Sequence, residues 1–231
     1  MNAVGVGFDF DHTLGIDNKL ERTIGIELLV RQARADCRSV DQAQASQAMD
    51  AALDAFRSER MTLEDALRAA FMRFGREGVD FEAVIACFRA TVLARAPAFV
   101  EPLPGALELL DALDREGIPY ALLTNGWSPL QEEKARLIGF RRAVFVGQSG
   151  IAWKPSPCAF EPLLRYFGAP ADRIWYVGDD PIADVAGAAA AGLRSVWFDW
   201  ENRPYPAGRE PPAYRIHALR ELFTLLTNPP A

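Results

Sequence analysis

The sequence predicts a doubly wound α/β fold, a parallel sheet with helices on both faces, into which an all-helical segment is inserted after the first strand. Three observations carry this. Val4 to Phe8 is a short apolar run that stops at Asp9 and Asp11, as a buried strand does where its carboxyl end meets a cleft. Residues 17–95 then repeat their apolar positions at helical spacing, with almost no strand signal. Beyond Pro97, Pro102 and Pro104 the rhythm changes to strands alternating with helices, the pattern of a parallel sheet covered on both faces.

In chain order, Ile24, Leu28, Leu29 and Gln32 mark one helix, and Ala48, Ala52 and Phe56 a second. Thr62, with Asp65 three residues on, can cap a third that runs to Gly75, and Asp80 can cap a fourth that reaches Arg95. This succession reads as a small bundle. Gly105–Arg115 is a helix ending at Gly117, ahead of the strand Tyr120–Thr124. Ser128 is an N-cap candidate, with Pro129 at the first helical position and Gln131 completing a capping box. That helix ends at Gly139 before the strand Ala143–Val146. Ser156 and Pro157 open another, which ends at Gly168 before Arg173–Val177, and Ala183–Ala191 ends at Gly192 before Ser195–Trp200. The expected organisation is an α/β core of residues 1–15 and 99–231, with 16–98 as a helical bundle.

Half of the 231 residues are hydrophobic and 24% are charged, ample material for a packed core. The net charge is −6 and no dense Lys/Arg stripe occurs, so nucleic acid is not an expected partner. An anionic substrate is not excluded, because one lysine and one metal ion can reverse the local field. Cys37, Cys87 and Cys158 include no CxxC pair and read as small buried hydrophobes in a reducing compartment. Met1–Gly7 shows no signal-peptide pattern, and no apolar run reaches the roughly 20 residues a bilayer needs. The expectation is a cytoplasmic protein without a membrane partner. Monomer and homodimer both stay open.

In open parallel sheets ligands bind beyond the carboxyl ends of the strands, so the polar residues there are the site candidates. The first strand ends in Asp9-Phe10-Asp11-His12-Thr13, where alternation puts Asp9 and Asp11 on one face and Phe8 and Phe10 on the other. A later strand ends in Thr124-Asn125-Gly126, and another in Gly178-Asp179-Asp180, with Asp184 one turn on. Lys154 lies just before the helix opened by Ser156. Carboxylates, a hydroxyl, an amide and a cation are what phosphoryl transfer at a hard metal ion requires.

The order Asp9-x-Asp11-x-Thr13, Thr124-Asn125, Lys154-Pro155 and Gly178-Asp179-x-x-x-x-Asp184 resembles the four motifs of the haloacid dehalogenase (HAD) superfamily. The helical insert between the first two motifs is similar to that superfamily's C1-type cap, and the resemblance covers nearly the whole chain. It implies a Rossmann-like core and a Mg²⁺-dependent phosphatase acting on a small phosphorylated metabolite. In that family reading Asp9 is the nucleophile and forms an aspartyl phosphate. Asp11 protonates the leaving oxygen and then deprotonates water, with a pKa that a neighbouring carboxylate can raise. The metal is held by the Asp9 carboxylate, the Asp11 backbone carbonyl and Asp179. Lys154 neutralises charge between phosphate and Asp9, Thr124 and the Asn125 N–H hold phosphate oxygens, and Thr13 and Asp184 are supporting residues.

Plainer readings stand beside these. Asp17 and Asp172 read as loop solvation, Trp153 and Trp197 as core, and Asp180 as a residue near the site or in solvent. Thr13 and Thr124 could be caps and Lys154 a surface charge, although several carboxylates converging on one cleft would repel without a cation. His12 departs from the small residue usual between the second aspartate and the threonine, and reads as a solvent-facing ring. A phosphomutase of the same superfamily and a non-catalytic metabolite-binding member are the alternative functions. The cap residues that read the substrate are not legible in the sequence.

Overall fold

The first apolar run becomes strand β1 (Gly5–Phe8), buried at every position, in the computed structural model, which describes residues 4–35, 40–74, 79–148 and 150–228. Further along lie β4 (Tyr120–Asn125), β5 (Val144–Gly147), β6 (Ile174–Gly178), β7 (Arg194–Phe198) and β8 (Tyr214–Ile216), with a short pair, β2 (Gly15–Ile16) and β3 (Glu101–Pro102), between. Six strands form one sheet in the order β5-β4-β1-β6-β7-β8, and every neighbouring pair is parallel. The chain leaves β1 toward β4 and β5, then crosses to β6 on the other side. The carboxyl ends of β4, β1 and β6 therefore meet where the winding reverses.

Period-2 alternation divides the sheet's side chains between two cores. Val6, Phe8, Tyr120, Leu122, Trp175 and Val177 enter one, packed with Leu109, Leu110 and Leu113 of α5 (Ala106–Arg115) and Leu222 and Leu226 of α9 (Leu219–Thr227). Ala121, Leu123, Ile174 and Tyr176 enter the other, with Phe160 and with Leu163 of α7 (Glu161–Phe167). The doubly wound class expected from the alternation is the observed one. Gly117, Gly139, Gly168 and Gly192, which follow the helices as expected, all have positive φ, a conformation glycine adopts without steric cost.

Two local expectations are corrected. Helix α6 (Leu130–Leu137) starts at Leu130, with Pro129 in the cap position and no side-chain cap. The Ser128 hydroxyl turns instead to the Glu132 carboxylate, so the capping box is not formed. The helix expected over Ala183–Ala191 begins earlier, as a π-helical turn over Pro181–Ala186 that continues into α8 (Gly187–Ala190). Asp180 starts it, its Oδ1 accepting from the N–H groups of Ile182 and Ala183 at 2.7 and 2.8 Å. The cysteines also differ from expectation. Cys158 is exposed, because the short 3₁₀ segment Pro157–Phe160 buries Ala159 and Phe160 instead; Cys87 is half-buried, and Cys37 lies outside the described residues.

The chain divides into two compact units, Met1–Ile16 with Val100–Ala231, and Asp17–Phe99. The second consists of α1 (Leu20–Ala35), α2 (Gln42–Arg57), α3 (Leu63–Met72) and α4 (Phe81–Arg95), where α1 packs on α2 and α4, and α3 on α2 and α4. The Thr62 and Asp80 caps form, accepting from Asp65 N and Ala83 N at 3.1 Å each. The Gly75 end expected for α3 lies outside the described residues. Among the described residues no helix is long and apolar enough to cross a membrane.

Helix α8 approaches the Lys154 loop closely because Gly187 has no side chain. A Cβ there would stand 2.9 Å from the Cα and 3.1 Å from the carbonyl oxygen of Pro155, both backbone atoms that cannot rotate away. Gly187→Ala should therefore cost about 1–3 kcal/mol in equilibrium denaturation of the unit that contains it, the usual penalty for overpacking. An unchanged denaturation midpoint would show that this approach is not tight.

Candidate active site

The Asp9 N–H bonds Val177 O at 2.9 Å, so the ladder to β6 continues one residue beyond β1 and fixes where the carboxylate emerges. Its Oδ1 accepts from the buried ammonium of Lys154 at 2.6 Å. The same ammonium donates to Asp184 Oδ1 at 2.6 Å and to the Tyr176 hydroxyl at 2.9 Å. Tyr176 in turn donates to Leu123 O at 2.7 Å. Lys154 is held through its backbone as well. Asn125 at the end of β4 accepts from Lys154 N and donates to Lys154 O, both at 2.9 Å. An extended peptide with both polar groups caught by one amide side chain has little freedom to displace its ammonium.

Asp184 receives a second hydrogen bond, from Asp180 N to Oδ2 at 3.0 Å. It fits here because residue 178 is glycine: a Cβ at Gly178 would lie 2.2 Å from the Asp184 carboxyl carbon. Asp179 is fixed from the other side. Trp197 Nε1 and Arg203 Nη2 donate to its carbonyl at 2.9 and 2.8 Å, and Arg203 also reaches Oδ2 at 3.0 Å. Asp9, Asp179 and Asp184 each offer an oxygen within 4.8 Å of the others, a group able to hold a metal ion.

Burial pushes the Asp9 carboxyl up to about 6, against the pull of Lys154 and with the help of Asp184. Burial and the charge of Asp9 push Asp179 up to about 7 despite Arg203. Asp184 is also raised, mainly by burial. For Lys154 burial works downward, but the Asp184 and Asp9 carboxylates outweigh it and hold the ammonium well above its usual value. Carboxylates raised in this way are under-compensated. Their all-oxygen donor set suits a hard divalent cation, which would relieve the repulsion.

Asp11 turns elsewhere. Both its oxygens accept from Lys134 on α6, at 2.7 and 2.9 Å, and Gln131 Nε2 approaches Oδ2 at 3.4 Å. The neighbour expected to tune Asp11 was a carboxylate; the one the structure places there is an ammonium. Thr124 is buried, with its hydroxyl 3.4 Å from Asn125 O, and the buried Thr13 hydroxyl has no hydrogen-bond partner among the described residues. Asp180 is the helix cap already described. His12, at φ 58°, is exposed and stacks on Trp200 at 6.4 Å between ring centroids.

Tyr176, Lys134, Gln131 and Arg203 were missed from the sequence. A signal existed for two of them. Leu130, Gln131, Lys134, Ala135 and Ile138 recur at helical spacing on the buried stripe of α6, so two polar residues interrupt an apolar pattern.

Residues 5–192 match the family described as haloacid dehalogenase-like hydrolase. A phosphoserine phosphatase of Thermus thermophilus is 40% identical over 126 residues, 52% of this chain and 49% of that protein. The pyrimidine 5′-nucleotidase YjjG of Escherichia coli is 35% identical over 130 residues, 54% of this chain and 56% of that one. The chain thus matches about half the length of these curated relatives. Among solved structures, the putative HAD-hydrolase YfnB of Bacillus subtilis, bound to magnesium, superimposes with a TM-score of 0.69 at 21% identity over 98% of this chain and 99% of that one. A 2-haloacid dehalogenase of Pseudomonas syringae pv. tomato gives 0.75 at 20% identity over 97% and 98%. At that identity these two show the fold alone. With the family match spanning most of the chain, the protein belongs to the haloacid dehalogenase-like hydrolases.

Proposed function

We propose that this protein is a Mg²⁺-dependent phosphomonoesterase that passes a phosphoryl group from a small phosphorylated metabolite to Asp9 and then to water. The observation that carries the reading is the Asp9 carboxylate at the end of β1, bonded at 2.6 Å to a buried lysine and within 4.8 Å of Asp179 and Asp184. The curated relatives support it: those named for phosphoserine, pyrimidine nucleotides and phosphoglycolate share a phosphate ester and differ in the rest. The organic part of this chain's substrate therefore does not follow from theirs.

In the first step an Asp9 carboxylate oxygen attacks phosphorus and the bond from phosphorus to the alcohol oxygen breaks. Asp11 gives that oxygen its proton. In the second step Asp11 takes a proton from the attacking water, the bond from Asp9 to phosphorus breaks, and inorganic phosphate leaves. Lys154 offsets the negative charge that Asp9 and the phosphoryl oxygens bring together. The Thr124 hydroxyl and the Asn125 N–H hold phosphoryl oxygens. Asp9, Asp179 and the Asp11 carbonyl would hold Mg²⁺, with Asp184 as an outer partner, and the ion supplies charge neutralisation at the transferring group.

Phosphate release from p-nitrophenyl phosphate and a panel of phosphorylated metabolites should require Mg²⁺, stop in excess EDTA and vanish in Asp9→Asn. Full activity in EDTA would remove the metal from the reaction, and an active Asp9→Asn would remove the nucleophile.

Asp11→Asn should keep the metal site, because the ligand proposed there is a carbonyl. It should lose some stability, because the buried Lys134 ammonium keeps an acceptor but loses its counter-charge. Its kcat should fall roughly 10²–10⁴-fold, the usual contribution of a general acid and base. A normal kcat would assign the proton to another group.

The raised carboxyls give a pH dependence of defined sign. In the unfolded chain Asp9 and Asp179 lose their protons near the usual carboxylate value of about 4, whereas in the fold they keep them to about 6 and 7. The metal-free protein therefore binds more protons than its unfolded chain in that window and loses stability as pH rises through it. Mg²⁺ binds the deprotonated pair, so the rise in Tm that it produces should be small near about pH 5.5 and grow toward about pH 8. Equal shifts at both pH values would contradict this linkage.

A further inference from the structure

We infer that Lys134 is the positioning residue for Asp11: its ammonium fixes the Asp11 carboxyl group in the orientation from which that group handles the leaving-group proton. The inference rests on the phosphatase reading above and assigns a part of the site that the four sequence motifs do not contain.

Gln131 and Lys134 lie three residues apart on α6, a spacing that places them on one helix face. Both are buried, and both reach the loop after β1. The Lys134 ammonium donates to the two oxygens of Asp11 at 2.7 and 2.9 Å. It also lies 5.5 Å from the centre of the Phe10 ring, whose π-face favours a cation. Gln131 Nε2 spans Asp11 Oδ2 and the Asn125 carbonyl, 3.4 Å from each.

The burial of the pair is unequal. The Lys134 side chain is 1% exposed, whereas that of Asp11 is 35% exposed. Burying an ammonium is unfavourable unless a counter-charge meets it, and α6 accepts this cost on the side of Asp11 turned away from solvent. About a third of the Asp11 side chain is exposed, within reach of a substrate oxygen. Two bonds from one ammonium restrain rotation of the carboxyl group about its own axis, which a solvent-facing aspartate keeps. An ammonium only donates, so it occupies Asp11 lone pairs and leaves any proton on Asp11 to point toward another acceptor. Asp11 is thus bonded to Lys134, while the oxygens of Asp9, Asp179 and Asp184 converge within 4.8 Å of one another. Asp11 is thereby reserved for the proton while its neighbours serve the phosphoryl group.

The leaving group provides the test. An alkyl alcohol departs poorly without a proton, whereas p-nitrophenolate needs almost none, so misplacing the acid must slow the first step of the alkyl ester far more than that of the p-nitrophenyl ester. The second step, where Asp11 acts on water, is common to both. Lys134→Met retains length and removes the charge; Lys134→Gln retains a donor. On an alkyl phosphate that the parent protein hydrolyses, Lys134→Met should lower the single-turnover rate of alcohol release roughly 10–100-fold, as expected for a displaced catalytic group, with KM and the single-turnover rate of p-nitrophenol release changed less than about threefold. Lys134→Gln should fall between, and in an Asp11→Asn background Lys134→Met should cost nothing more, because the two act as one unit. Thermal melts with and without Mg²⁺ confirm that each variant folds, and Lys134→Gln carries the comparison if Lys134→Met does not. Equal losses in single-turnover release from both substrates, a change confined to KM, or additive losses with Asp11→Asn would overturn the positioning role. A parent protein inactive on every ester would overturn the phosphatase reading and this inference with it, whereas a fully active Asp11→Asn would assign the proton to another group and overturn this inference alone. Intact activity in Lys134→Met beside a crippled Asp11→Asn would overturn this inference alone.

Discussion

The ammonium of Lys154 ties together the carboxyl ends of the three central strands. Through its side chain it binds Asp9 beyond β1, and Asp184 and Tyr176 on and after β6. Through its backbone it is caught by Asn125 at the end of β4. An unpaired ammonium at this depth would cost several kcal/mol, so the sheet can close around Lys154 only if the carboxylates arrive with it. Reciprocally, Asp9 and Asp184 remain near one another only because Lys154 stands between them. The spaces left by Gly178 and Gly187 serve the same arrangement, admitting the Asp184 carboxylate and the Pro155 backbone.

How much of this could be read from the sequence follows from the range over which each signal acts. The strands, the helix-closing glycines and the Thr62 and Asp80 caps are local chemistry, and the structure contains them. The polar residues at the strand ends were recognisable because a strand delivers its last side chains to a known place. Lys134 was not, since it meets Asp11 across 123 positions of chain and nothing local to α6 says what it faces. Tyr176 sits at an ordinary inward position of β6, and only the fold shows that its hydroxyl ends beside Lys154. Arg203 comes from a segment without regular structure. The pairs β2–β3 and the strand β8 are too short, at two and three residues, for alternation to mark them. At Ser128 and Cys158 a correct local rule lost to its surroundings: one hydroxyl found a carboxylate, and one thiol lay on the outward side of a short turn.

Four aspartates crowd the carboxyl end of the sheet, and what separates them chemically is the cation each one meets. Asp9 and Asp184 share Lys154, Asp11 has Lys134, and Asp179 has Arg203. Those cations come from three different segments, so each carboxylate can be oriented independently. Fully ionised, these carboxylates outnumber the three cations, and Asp180 and Glu201 add to the negative charge beside Asp179 and Arg203. Without a metal the site can relieve that excess by keeping protons, in agreement with the raised carboxyls of Asp9 and Asp179. A divalent cation would replace those protons and offset the excess, giving a phosphate dianion a local counter-charge although the chain as a whole carries −6. The attraction for phosphate in the proposed reaction would thus be local and supplied by the ion. An acidic protein can in this way bind an anionic ester without a basic surface.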